Sequence, residues 1–192
     1  MLARQAVRPA EVIVVDNGRD AADPAAPAGM PVVYRRAPVR CGAAQARNIG
    51  AAVATGPWLA FLDDDDAWDD DYLGAMQRAI DADPRPRLLL GVAAMTDSRG
   101  RVVAVKRWDG DRPRAVLWRN SGVVGSNIVI DRASFMAIGG FDHRLDCGED
   151  RALLWRCLRA DLPVSLVAEA RARIQGHDGE RLSDSKRLLE GR

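Results

Sequence analysis

Four consecutive aspartates, Asp63, Asp64, Asp65 and Asp66, follow directly on the apolar run WLAFL at residues 58–62. Crowded carboxylates repel one another, which costs stability unless a cation or a helix start compensates. Mg2+ and Mn2+ favour oxygen ligands, often taking one or two carboxylates and filling the rest from phosphates and water. A second acidic pair, Glu149-Asp150, opens a helical stretch behind Cys147-Gly148. A helix start keeps a carboxylate ionised, and an ionised carboxylate can take a proton from an attacking hydroxyl. A third site, Asp16-Asn17, ends the β-branched run EVIVV. Each has a plainer reading: a solvated acidic turn, a helix cap and an Asx turn, respectively. The aspartate run has one further property. It stands where a buried strand would emerge, the usual place for a ligand in an open α/β sheet.

The elements that must position these groups are short and alternate. Residues 11–15, 31–36 and 58–62 read as strands, and 42–54 and 69–82 as helices, the second with an acidic first turn and apolar Leu73, Met76 and Ile80. Residues 88–95 and 101–105 flank Ser98-Arg99-Gly100, a hairpin pattern. Residues 108–120 are polar and irregular. Residues 124–130 read as a strand, with Asp131 capping a short helix that Gly139-Gly140 ends. A helix over 149–160 turns Leu153, Leu154, Cys157 and Leu158 inward, and 164–167 and 172–175 read as late strands. The sum is one α/β domain over 1–176 with a mainly parallel sheet and an antiparallel addition, followed by a polar tail over 177–192.

The chain's 192 residues suffice for one domain with a core, and 47% hydrophobic with 29% charged residues argues against disorder. A net charge of +1 gives no basic field for a nucleic-acid partner, so none is expected. The arginines are scattered among aspartates and read as a solvated surface. Three cysteines without a CxxC pair argue against a disulfide framework. No run reaches membrane-span length and no signal-peptide pattern opens the chain. A cytoplasmic location, with contact at the inner face of the membrane left open, is the expectation.

Taken in order, VVDNG, GAAQARNIGAA, WLAFLDDDDAW, GGFD, GEDRALLWR and a late histidine closely resemble the family 2 glycosyltransferases of GT-A fold. The resemblance runs from about Leu2 to His177. It implies a nucleotide-diphosphate sugar donor, most simply a UDP-sugar, and an inverting transfer to an acceptor hydroxyl. Asp65, the last member of the D-x-D motif, would bind Mn2+ or Mg2+ at the donor diphosphate, with His177 completing the metal shell. Asp63 or Asp64 would lie near the ribose, and Asp66 would support the loop. Asp16 and Asn17 would face the base and ribose, and Arg47-Asn48 would shape the donor pocket, although Arg47 could equally be structural. Asp150 would be the general base, with Glu149 beside it near the acceptor. The acceptor could be a glycan, a lipid-linked sugar, a protein or a small molecule.

The sequence departs from this pattern in two places. Asn17 stands where the family usually has Asp, which brings no charge and adds a donor. The family's opening V-S-V-V-I-P-x-Y-N strand, central in its sheet, is not found. Its absence would leave neighbouring strands with unpaired backbone groups, an open edge for self-association into a homo-oligomer. The rival reading is therefore a non-catalytic or truncated binding module of the same fold. A nucleotidyltransferase is a more distant alternative, and the Gly-rich phosphate loop common in those enzymes is not found.

Overall fold

A computed structural model describes residues 2–21, 29–110, 116 and 122–176. Eight strands and four helices follow one another as β1 (Val12–Asp16), β2 (Val32–Arg36), α1 (Ala43–Val53), β3 (Trp58–Ala60), β4 (Ala67–Trp68), α2 (Tyr72–Ala82), β5 (Leu88–Thr96), β6 (Val102–Lys106), β7 (Ile128–Asp131), α3 (Arg132–Ala137), α4 (Glu149–Arg159) and β8 (Val164–Gln175) among these residues. A 3-10 turn, Gly125–Asn127, leads into β7.

The larger sheet runs β3-β7-β5-β8-β4, with β6 paired to β5. Its longest ladder is parallel, β5 against β8. The pairs β3-β7, β7-β5, β4-β8 and β5-β6 are antiparallel. β5 is the centre of this sheet, and its apolar run is buried almost throughout. Side chains alternate across a strand. Leu88 and Leu90 accordingly join Leu59, Phe61, Ile128, Phe135, Phe141, Leu153 and Leu154 in one core. Leu89 and Ala93 join Trp68, Tyr72, Met76 and Val129 in the other. Gly91 lets the two longest strands approach, because a Cβ there would stand 2.7 Å from the Ala170 carbonyl oxygen. The β5-β8 register shifts at that point.

β1 and β2 pair in parallel as a separate two-stranded sheet. Helix α1 covers it, with Gly50 so close to β1 that a Cβ would lie 3.2 Å from Val15 Cγ2. Glu11 ties the foot of β1 to the approach to β3: its Oε1 accepts from Thr55 N and Thr55 Oγ1, each at 2.7 Å, and from Gly56 N at 3.1 Å. Among the described residues the strands thus divide between β1 and β3, and every residue of β1 is only half-buried.

Local expectations needed correction where tertiary pairing competes with pattern. The second helix starts at Tyr72 and has no acidic residue in its first turn. Ala67 and Trp68 are instead taken up by β8, and Asp69 N continues that pairing to Arg171 O. Residues 124–130 are not one strand, since the 3-10 turn occupies 125–127. The two late strands are one, Val164–Gln175. Asp131 does cap α3, its side chain accepting from Ser134 N at 2.8 Å. The hairpin forms, with β6 antiparallel to β5. The interleaved charges are exposed Arg–Asp pairs such as Arg4–Asp70 and Arg78–Asp71, which contribute little to stability.

Candidate functional site

The aspartate run leaves β3 after a last backbone bond, Phe61 N to Ile128 O. Asp66 N then bonds back to Asp63 O at 3.2 Å, closing a tight turn that leaves Asp64 and Asp65 exposed. The outer pair is anchored. Asp63 faces Arg47 of α1, whose Nη2 lies 2.6 and 2.7 Å from the two carboxylate oxygens. Asp66 accepts from Ser126 Oγ at 2.6 Å and from Gln175 N at 2.9 Å. Burial raises the Asp66 carboxyl above the ordinary aspartate range, against the pull of its Ser126 hydrogen bond.

Arg47 also reaches the second acidic site. Its Nη1 donates to Glu149 Oε1 at 2.7 Å across a separation of 102 residues. The guanidinium lies 5.2 Å from the Phe141 ring centroid, and its side chain is only 10% exposed. A planar fork of donors holds two carboxylates at once in a fixed geometry that a lysine ammonium does not provide. Next to it, Asn48 pins the GGFD turn: its Nδ2 donates to Phe141 O and its Oδ1 accepts from Phe141 N, both at 2.8 Å. That turn passes through Gly139 and Gly140, both at positive φ. A Cβ on Gly140 would come within 2.6 Å of Asn48 Oδ1, so glycine serves both the backbone and the contact.

Glu149 and Asp150 open α4 behind Gly148, which is left-handed at φ 77. The helix start does not set the direction in which the Asp150 carboxyl shifts. Burial first, and the neighbouring Glu149 carboxylate second, push its carboxyl up to about 6. The Arg151 N–H, 2.6 Å from Asp150 Oδ1, and the Arg47 charge oppose the rise without cancelling it. A carboxyl poised near 6 is charged at neutral pH yet basic enough to accept a proton.

Asp16, at the end of β1, accepts from Tyr34 OH and Arg36 Nη1, each at 2.6 Å, and from Gly18 N at 2.8 Å. The Asx turn is therefore real. Arg36 also donates to the carbonyls of Gly18, Arg19 and Asp20, so it clamps the loop after β1. Asn17 is half-buried, and its carbonyl accepts from Arg40 N. The structure thus brings Arg47, Asp63 and Glu149 into direct contact with Asp150 adjacent, while Asp16 is organised around Tyr34 and Arg36. His177 lies outside the described residues. Tyr34, Arg36 and Ser126 carry no sequence signal of their own, because their roles arise only from contacts across the fold.

Among the described residues, no three of His, Cys, Asp and Glu converge as a metal-holding group. Two exposed carboxylates at the tip of the turn nevertheless fit a cation that gains most of its oxygens from phosphates and water. No helix among the described residues is long and apolar enough to cross a membrane.

The sheet, the carboxylate turn at a strand end and the acidic helix start define a nucleotide-sugar transferase fold of GT-A type. Residues 2–139 match the model of glycosyl transferase family 2, and the chain belongs to that family. The match ends before Glu149. A pre-mycofactocin glycosyltransferase of Mycobacterium tuberculosis (strain CDC 1551 / Oshkosh) is 30% identical over 177 residues, covering 84% of this chain and 38% of the relative. An uncharacterized glycosyltransferase of Haemophilus influenzae (strain Rd) is 28% identical over 154 residues, covering 78% of this chain and 52% of the relative. The chain therefore spans about half or less of the length of these curated relatives. Among solved structures, S. aureus TarS 1-349 in complex with UDP-GlcNAc superposes with a TM-score of 0.70 at 18% identity, over 95% of this chain and 55% of that one. GalNAc-T7 with UDP, GalNAc and Mn2+ gives 0.62 at 17% identity, over 88% of this chain and 38% of that one. At these identities the likeness is one of fold.

Proposed function

We propose that the chain carries the donor site and general base of an inverting glycosyltransferase that uses a nucleotide-diphosphate sugar. One observation carries the reading: Arg47 joins the aspartate turn to the start of α4, so that a donor-side carboxylate and the candidate base share one site. The structural neighbours bound to UDP-GlcNAc, or to UDP with GalNAc and Mn2+, favour a uridine diphosphate donor. In this reading Asp150 takes the acceptor hydroxyl's proton as that oxygen attacks the anomeric carbon. A new C–O bond forms on one face while the bond to the diphosphate breaks on the other, and the nucleoside diphosphate leaves. Asp65, with Asp64 beside it, would hold a Mn2+ or Mg2+ ion, which supplies charge stabilisation to the leaving diphosphate when bound. Arg47 balances the charge of Asp63 and Glu149, and Asn48 holds the GGFD turn against α1.

A non-catalytic module of the same fold is the second reading, favoured by the division of the strands between β1 and β3. Calorimetric titration of UDP, GDP and dTDP with and without Mn2+ separates the two. Metal-dependent binding that disappears in Asp65→Ala supports the transferase. Absence of nucleotide binding in the purified chain would sink it.

A further inference from the structure

Ser126 is fully buried on the 3-10 turn before β7, and its three polar contacts all go to residues 63–68. Its Oγ accepts from Asp63 N at 3.0 Å and donates to Asp66 Oδ2 at 2.6 Å. Its carbonyl accepts from Trp68 Nε1 at 2.7 Å. One hydroxyl thus grips both ends of the aspartate turn. The residue's own backbone fixes the indole just past it.

The neighbours of Ser126 leave it little freedom. Asn127 is fully buried, and its side chain donates to Gly91 O and Gly122 O at 2.7 Å each and accepts from Val124 N at 3.0 Å. This locks the turn to β5, the most buried strand. Gly125 lies against Arg47, and a Cβ there would run into the guanidinium. Gln175 N, at the end of β8, holds the other oxygen of Asp66. The turn 125–127 therefore transmits the position of the core to the aspartate turn at the surface.

We propose that Ser126 is the positioning residue of the donor site: by holding Asp63 N and Asp66 together it sets where Asp64 and Asp65 project, and through them the affinity for the metal–diphosphate. The proposal rests on the donor-site reading above but has a consequence that needs no ligand. Without the hydroxyl, Asp63 N loses its acceptor and the turn loosens, while the core strands keep theirs.

The test uses the full chain, 15N-labelled, as wild type, Ser126→Ala and Ser126→Thr. In Ser126→Ala the Asp63 amide should exchange with solvent about 10-fold faster or more, the value of one lost hydrogen bond, with β5 amides unchanged. The dissociation constant for UDP in the presence of Mn2+ should rise about 10-fold, with metal-free UDP affinity unmoved. Ser126→Thr, which keeps the hydroxyl, should restore both. Should Ser126→Ala fail to fold, Asp66→Asn replaces it, because an amide cannot accept from Ser126 and Gln175 on separate atoms. Unchanged Asp63 exchange and unchanged Mn2+ dependence in the folded variant would overturn the proposal. Wild-type protein that binds no nucleotide would instead defeat the donor-site reading, and the exchange result would still decide whether Ser126 holds the turn.

Discussion

Asp150 titrates where its chemistry can be seen. Its carboxyl is pushed up to about 6, whereas in an unfolded chain it would sit near 3.9. Transfer should therefore rise about tenfold per pH unit below 6 and level off above it, in a profile of kcat/KM against pH. A profile flat through 6 would remove Asp150 as the base. The same shift has a stability consequence of fixed sign. The folded state binds the proton more tightly, so the group's favourable contribution is fully present below about 4 and is lost as pH rises through 6. Asp150→Asn should accordingly melt higher than wild type at pH 8, with the gap closing toward pH 4. Transfer in that variant should fall about 100-fold or more, with nucleotide affinity unchanged. The acidic clusters were legible in the sequence because run length and position are visible there. The direction of the Asp150 shift was not, since the helix start argues for ionisation and only the folded surroundings show that burial wins.

Arg47 and Gly125 belong to one device at the scale of elements. Helix α1, the aspartate turn and the start of α4 meet on a single guanidinium, and the 3-10 turn must come close enough to shape its seat. Gly125→Ala puts a methyl into the Arg47 head group. The guanidinium must shift, which strains its bonds to Asp63 and Glu149. Displacing such groups by about 1 Å can cost about 100-fold in rate, and Gly125→Ala should show a loss of that order in kcat. Arg47→Lys should show a similar loss, because an ammonium lacks the fork. A Gly125→Ala protein that keeps wild-type kcat would show that the guanidinium has no role in placing the two carboxylates. The sequence identifies α1 by its Ala-rich stretch, the hairpin by Ser98-Arg99-Gly100 between two apolar runs, and α4 by its amphipathic period. It misplaces the start of α2, because the short strand Ala67–Trp68 exists only through its pairing with β8.

At the scale of the whole molecule, the two sheets should differ in stability. A two-stranded sheet is marginal without support from packing. β1 and β2 receive that support from α1 and from Glu11, yet β1 stays half-buried along its length. β5 has strands on both sides and a core on each face. Opening of the first pair should therefore cost far less than opening of the second, since local stability follows buried contacts. Native-state hydrogen exchange should show amides of β1 and β2 exchanging well ahead of those at Leu88–Leu90, and at a rate insensitive to global stability. Asp16 and Arg36 close the loop after β1 at the end of that weaker pair, so nucleotide binding there should slow the exchange selectively. Exchange in β1 as slow as in β5 in the free protein would mean that the β1-β2 pair gains a further strand partner in solution. A concentration-dependent size would then identify a second copy as that partner.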